Sequence, residues 1–258
     1  GPDAETVLEL TLLDAAFGAT KDVTVTLPVS CETCSGRGAA PGTQASSCPE
    51  CQGTGQIRRV RNSFLGQMMT TAPCQRCQGL GEVIATPCPD CRGDGRQRAT
   101  RTYSIEVPQG IEDGSTMRLG GRGPAGPRGG PNGTLYVHLH VVPDSRFERV
   151  GDDLHHVAHI AVTQAALGSL IEVPTLQGTE ALSVPRGSQH GDAFTIRHEG
   201  VHHLRGRGRG DLIVHLAVDV PTELDERSEE LLRELATHLG HDVVEEAPAR
   251  FGRRRAKK

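Results

Sequence analysis

The sequence predicts a mainly β fold: two tandem, related β-sandwich domains, with a Gly-rich cysteine module inserted into the first and a helix near the C-terminal end. Three observations carry this prediction. The 258-residue chain has no Trp, only 3% aromatic residues, and 32 Gly with 16 Pro, a composition of short strands and many turns. The chain also aligns with itself. Residues 107–141 match 184–218 at a constant offset of 77, with 13 identities that include Val107/Val184, Pro108/Pro185, Gly110/Gly187, Gly114/Gly191 and Val137/Val214. Upstream, the stretch from Asp3 matches the stretch from Asp153 at an offset of 150, where Ala15/Ala165, Ala16/Ala166, Gly18/Gly168 and Val23/Val173 coincide. The change of offset means that the first copy holds 73 extra residues, and all eight cysteines lie among them.

Period-two alternation marks the strands of the first copy. Leu8, Leu10 and Leu12 alternate with Glu9 and Thr11, and Val23, Val25 and Leu27 with Thr24 and Thr26. Tyr103, Ile105 and Val107, then Leu135, Val137, Leu139 and Val141, repeat the pattern. Each strand therefore has one face for a core. "LLDAAFG" and "TQAALG" read as one or two helical turns that end at Gly18 and Gly168. After Pro221, Leu224, Leu231, Leu232 and Leu235 recur at helical spacing, with Thr222 or Asp225 as caps and Gly240 as the stop. Its apolar stripe suits either a second chain or the helix's own domain. The expected organisation is a first β domain over 3–30 and 97–143, the inserted module over 31–96, a second β domain over 144–220, a helix over 221–240 and a basic disordered tail over 241–258.

The cysteines form four Cys-x-x-Cys pairs, each inside one phrase: "CETCSGRG", "CPECQGTG", "CQRCQGLG" and "CPDCRGDG". A Cys-x-x-Cys turn offers two thiolates to one ion, so two turns complete a tetrahedral thiolate site. Four turns make two zinc sites per chain. The glycines of each phrase allow the chain to fold under the metal so that backbone amides face the sulfurs. An insertion leaves and re-enters neighbouring strands, so its ends lie close together. That favours a nested grouping: Cys31, Cys34, Cys88 and Cys91 on one zinc, Cys48, Cys51, Cys74 and Cys77 on the other. Sequential pairing, first with second and third with fourth, is the alternative that metal geometry decides. A secreted disulfide framework does not suit a chain without a signal peptide whose cysteines are so regularly paired. A redox dithiol needs one Cys-x-x-Cys at a helix N-terminus, and a DNA-reading finger needs a recognition helix; neither pattern is written here.

A net charge of −4 gives no global attraction to nucleic acid or to an anionic membrane, and no run of about 18 apolar residues exists. The N-terminal stretch lacks the basic and apolar regions of a signal peptide, which predicts a cytoplasmic protein. Gly1 and Pro2 in place of an initiator Met predict a fragment that begins at a domain boundary. Two histidine groups, His155/His156/His159 and His198/His202/His203, have no cysteine or carboxylate motif around them and are assigned to surface or buffering roles. "LRGRGRGD" (204–211) and "FGRRRAKK" (251–258) are basic but lack interleaved aromatics, so they read as a solvated loop and a tail.

The four C-x-x-C-x-G-x-G repeats, followed by "VPQGIEDG" and later "GDDLHHVAHIAVTQAALG", resemble the C-terminal part of a zinc-containing, type I DnaJ family co-chaperone over nearly the whole chain. The resemblance implies two β-rich substrate domains, a zinc module extending from the first, and a C-terminal dimerisation segment that makes a homodimer. It further implies a non-enzymatic function: unfolded polypeptide binds the first domain and passes to a DnaK-type chaperone. Carried over onto this chain, the peptide groove is lined by Val23, Val25, Tyr103 and Val137 with Leu8 nearby, and the small Ala4 stands at the family's other groove position. The family's J domain and Gly/Phe-rich linker are not in this sequence, so it is expected to hold substrate without stimulating the partner's ATPase. The same Val and Leu residues also suit an ordinary core. A zinc-dependent nucleic-acid binder and a thiol-disulfide oxidoreductase are the rival functions, separated by salt dependence and by metal and thiol content.

Overall fold

The computed structural model describes residues 1–63 and 66–243; the tail expected at 241–258 lies, from residue 244 on, outside the described residues. In chain order the first copy opens with β1 (Ala4–Leu10), α1 (Leu12–Phe17) and β2 (Ala19–Ser30). The module follows with β3 (Ser46–Ser47), β4 (Gln56–Ser63), β5 (Gly66–Pro73) and β6 (Glu82–Val83), and the first copy resumes with β7 (Arg96–Val107), β8 (Thr116–Leu119) and β9 (Leu135–Val141). Then come β10 (Glu148–Val150), β11 (Asp153–Ala161), α2 (Val162–Leu167), β12 (Ser169–Pro174), β13 (Thr179–Val184), β14 (Ala193–Ile196), β15 (Leu212–Asp219) and α3 (Glu226–Leu239). The helix α2 stands at the 150-residue offset from α1, and β14 at the 77-residue offset from β8. The repeat read in the sequence is thus a repeat of structure.

In the first copy, β1 runs parallel to β9 and β8 antiparallel to it, giving a three-stranded sheet in the order β1-β9-β8. The registers Leu8↔Leu139 and Met117↔Val137 bring the apolar side chains of all three strands to one face. Strands β2 and β7 form a separate antiparallel pair from Ala19↔Val107 to Ser30↔Arg96. Val23 lies opposite Tyr103 on the apolar face, while the hydroxyls of Thr24 and Thr102, and of Thr26 and Thr100, meet at 3.0 Å on the other. Between these layers lies a core of Leu10, Ala15, Val23, Ile105, Val107, Ile111, Leu135, Val137 and Leu139.

The helix α1 begins with a capping box. Thr11 Oγ1 accepts from the Asp14 amide and Asp14 Oδ2 from the Thr11 amide, both at 3.1 Å, and Lys21 Nζ approaches Asp14 to 2.8 Å. Burial alone would raise the Asp14 pKa, but the bonds from Lys21 and Thr11 win and hold it below 3.8. A lowered carboxyl pKa stabilises the fold above the ordinary carboxylate range and loses that contribution as pH falls through the lowered value. Asp14→Asn should therefore cost about 1 kcal/mol in urea unfolding at neutral pH, and the gap to the parent protein should close on acidification below that range. A gap unchanged by pH would mean that charge at Asp14 contributes nothing.

By proximity the chain divides into two compact units, Gly1–His155 with Thr195–Ile213, and His156–Phe194 with the described residues from Val214 onward. In the second copy β10, β11, β15 and β14 form a four-stranded sheet in that order, and β12 pairs with β13. The terminal helix α3 is capped by Asp225, whose Oδ1 accepts from the Ser228 amide at 2.7 Å, and stops at Gly240 in the left-handed region. None of its residues is buried: Leu231, Leu235 and Leu239 are 48–56% exposed. Packing of this stripe onto its own domain, one of the two expectations for it, is not what the helix does.

Candidate metal centres and peptide groove

The module departs from the β2–β7 pair at Ser30 and Arg96, which are register partners, so its two ends are adjacent. All eight cysteines are buried and unpaired by disulfides. Cys31, Cys34, Cys88 and Cys91 form one group and Cys48, Cys51, Cys74 and Cys77 the other, the sulfurs of each group lying within 4.8 Å of one another. The grouping follows the nested order. Closest approaches are 3.7 Å for Cys34–Cys91, 3.7 Å for Cys51–Cys77 and 3.9 Å for Cys48–Cys74. A tetrahedron of thiolates at metal–sulfur distances of 2.3 Å has edges of about 3.8 Å, whereas a disulfide needs about 2.05 Å. Both sulfur sets are sized for a tetrahedral ion.

The repeats hold each other by backbone before any metal is considered. The Cys31 amide donates to the Gly95 carbonyl and the Cys88 amide to the Gly38 carbonyl, each at 2.8 Å. Cys48 to Gly81 (2.8 Å) and Cys74 to Gly55 (2.9 Å) repeat the exchange in the other group. The last glycine of each phrase also donates its N–H to the second cysteine: Gly38, Gly55, Gly81 and Gly95 reach Cys34, Cys51, Cys77 and Cys91 at 3.2–3.3 Å. At Gly95 the need for glycine is twofold. Its φ is +77°, and a Cβ would fall 2.1 Å from the Gly36 carbonyl oxygen. Gly81 faces Gly53 in the same way, with a Cβ at 2.4 Å.

These contacts tune the thiols unequally. Burial, helped by the neighbouring sulfurs, outweighs the Gly38 amide and pushes Cys34 up to about 11. Burial opposes ionisation at Cys77 as well, but the Gly81 amide and the Cys51 and Cys74 thiols bring it down to about 7. A divalent cation replaces the protons that such a cluster holds, which couples metal binding to folding of the module.

Between Cys51 and Cys74, two members of one group, the chain forms the β4–β5 hairpin, in register from Gln56↔Pro73 to Ser63↔Gly66. The segment 56–73 lacks an alternating pattern, and this hairpin is not legible in the sequence. The loop after β8 ties β2 to the module: Ala125 donates to the Pro28 carbonyl of β2 at 2.8 Å, and Arg128 Nη1 to the Glu82 carbonyl of the module at 2.9 Å.

The five residues expected at a peptide groove divide into two sets. Leu8, Val25 and Tyr103 are half-buried and pack against the first-copy core, together with Ala4, Met117, Leu119 and Val141. Val23 and Val137 belong to that core, with 4% and 0% of their surface exposed. Of the five, Leu8, Val25 and Tyr103 thus keep accessible surface, while Val23 and Val137 lie in the core. Met117 and Leu119, on the edge strand β8, stand beside them and were not among the expected residues, although their alternation with Arg118 was a readable signal. The Arg122 guanidinium lies 5.2 Å from the centroid of the Tyr103 ring.

Neither histidine group joins a candidate metal cluster among the described residues. His202 meets the Phe17 ring edge-on at 5.5 Å, and His203 Nδ1 lies 2.7 Å from Asp152 Oδ2. In the loop expected to be solvated, residues 204–208 are exposed, while the Arg209 guanidinium lies on the Phe17 ring at 4.9 Å.

A duplicated β fold whose first copy carries a four-repeat cysteine arm with two four-sulfur groups defines the class of DnaJ C-terminal domains. The family model of the DnaJ C terminal domain matches residues 4–221, and the chain belongs to that family. It is 49% identical over 242 residues to a protein of Streptomyces avermitilis named chaperone protein DnaJ 2, and 50% identical over 242 residues to its namesake in Streptomyces coelicolor. Each match covers 94% of this chain and 64% of the relative, so the chain spans less than two thirds of their length. Chaperone protein DnaJ of Ruminiclostridium cellulolyticum is 42% identical over 251 residues, 97% of this chain and 66% of that protein. No described helix is long and apolar enough to cross a membrane.

Proposed function

We propose that the chain captures extended, unfolded polypeptide on its first β domain and serves a cytoplasmic DnaK-type chaperone to which that client is passed. The observation that carries this reading is the half-buried apolar row of Leu8, Val25 and Tyr103, with Met117 and Leu119 on the open edge of a three-stranded sheet. A sheet edge offers unpaired N–H and C=O groups to an added strand, and apolar side chains beside it receive alternate residues of that strand. All-thiolate tetrahedral sites favour zinc. Two zinc ions then hold the arm as structural centres, with Cys31, Cys34, Cys88 and Cys91 at its base and Cys48, Cys51, Cys74 and Cys77 farther out. The domain limits at 3–30 with 97–143, 31–96 and 144–220 rest on the duplication. The exposed leucines of α3 support pairing of two copies into a homodimer.

The rival functions are less well served. Buried sulfurs gathered four at a time suit metal binding better than an accessible redox dithiol, and a net charge of −4 does not favour nucleic acid. The test is binding of a permanently unfolded, carboxymethylated client to the parent protein and to a Val25→Ser/Tyr103→Ser variant. The variant should keep its circular dichroism and two metal ions while client affinity falls about tenfold or more. Unchanged affinity in a folded variant removes this groove from consideration.

A further inference from the structure

Between the two cysteine groups lies a cleft of about 280 Å³ whose lining includes three arginines, Arg76, Arg92 and Arg128, the apolar Leu80, Ile84 and Pro87, and one acidic residue, Glu82. Its three arginines come from three places in the chain: the third repeat, the fourth repeat and the loop after β8. Arg76 and Arg92 are exposed and make no ion pair among the described residues. Arg128 spends one of its five donors on the Glu82 carbonyl. Turn geometry does not call for arginine here. Arg92 has φ +53°, and the same slot in the other repeats holds Ser35, Gln52 and Gln78, also at positive φ. Arg128 has φ +50° beside Gly129 and Gly130, where glycine would rest more easily. Nor do the guanidinium groups of Arg76 and Arg92 serve the sulfurs, which backbone amides face: those of Gly38, Gly55, Gly81 and Gly95 and, at Cys74, that of Arg76 itself. Leu80, 45% exposed, adds an apolar contact to the cleft.

We propose that this cleft is a second binding site, separate from the groove, for an acidic peptide segment of a partner protein that places carboxylates on Arg76 and Arg92 around an apolar side chain. Guanidinium groups bind carboxylates in a two-pronged, directional way. Leu80, Ile84 and Pro87 supply an apolar surface rather than the aromatic platform that single-stranded nucleic acid uses.

The test is fluorescence anisotropy on the metal-loaded full chain, with a labelled peptide of about twelve residues alternating Glu and Leu, and its Gln/Leu counterpart. The Glu peptide should bind about tenfold more tightly than the Gln peptide. That preference should vanish in Arg76→Gln/Arg92→Gln, checked for two bound ions, and survive in Val25→Ser/Tyr103→Ser. If the double variant sheds metal, Arg92→Gln alone serves and should reduce the preference. Equal binding of the two peptides by the parent protein overturns the proposal, as does a preference that outlives the arginine substitutions in a metal-loaded variant. Displacement by single-stranded oligonucleotide at a lower concentration than by unlabelled Glu peptide also overturns it and assigns the cleft to nucleic acid.

Discussion

A Cys31→Ser/Cys88→Ser double variant should lose one metal ion per chain and keep the other. Cys31→Ser/Cys48→Ser should lose both. The nested grouping puts Cys31 and Cys88 in one sulfur set and Cys31 and Cys48 in different ones, so the first variant damages one centre and the second damages two. Sequential pairing requires the opposite outcome, which makes atomic metal analysis of these two proteins decisive. The effect is large because structural zinc contributes roughly 10–16 kcal/mol in small zinc-folded peptides, and a serine at a thiolate position removes a principal ligand. The same measurement identifies the metal. The Cys31→Ser/Cys88→Ser protein should also become protease-sensitive near Ser30 and Arg96, where the module joins β2 and β7.

Val137→Asp should unfold the first β domain rather than merely weaken its grip on a client. Val137 is fully buried in the core, opposite Met117 on β8 and Thr6 on β1. An unpaired carboxylate there is expected to cost about 3–5 kcal/mol, a large part of the marginal stability of a domain this size. Urea unfolding followed by circular dichroism reads that loss. Undiminished stability would mean that Val137 is more accessible than the structure describes. Loss of client binding by this variant thus reports on folding, and the half-buried pair Val25 and Tyr103 reports on the groove.

The two sites differed in how far the sequence revealed them. Metal-binding spacing is local: two cysteines and two glycines within eight residues encode a turn, and the shift from offset 150 to 77 shows where the module leaves and returns. Grouping Cys31 with Cys88 needed only that the ends of an insertion be adjacent. The groove is different, because alternation in "VTVTL" or "LYVHLHV" tells which face is apolar but not how deeply each residue sits. Val137 and Tyr103 carry the same period-two signal, yet one is sealed in the core and the other lies half open. That distinction arises only from packing one layer on another. The stack of Arg209 and His202 on Phe17 was equally out of reach, since it joins residues almost 200 positions apart with no shared motif.

The register Ser30↔Arg96 has a consequence for how the chain reaches its native state. Pairing β2 with β7 requires closing a loop of the 65 residues between those partners, a non-local step that is slow because its entropy must be spent before the strands reward it. An arm that first folds around its own ions, from Cys51 to Cys74 and then from Cys34 to Cys88, divides that closure into shorter stages. Metal supply would then govern the speed at which the β domain assembles as well as the durability of the arm, so a metal-starved cell would make this protein slowly before it made it badly.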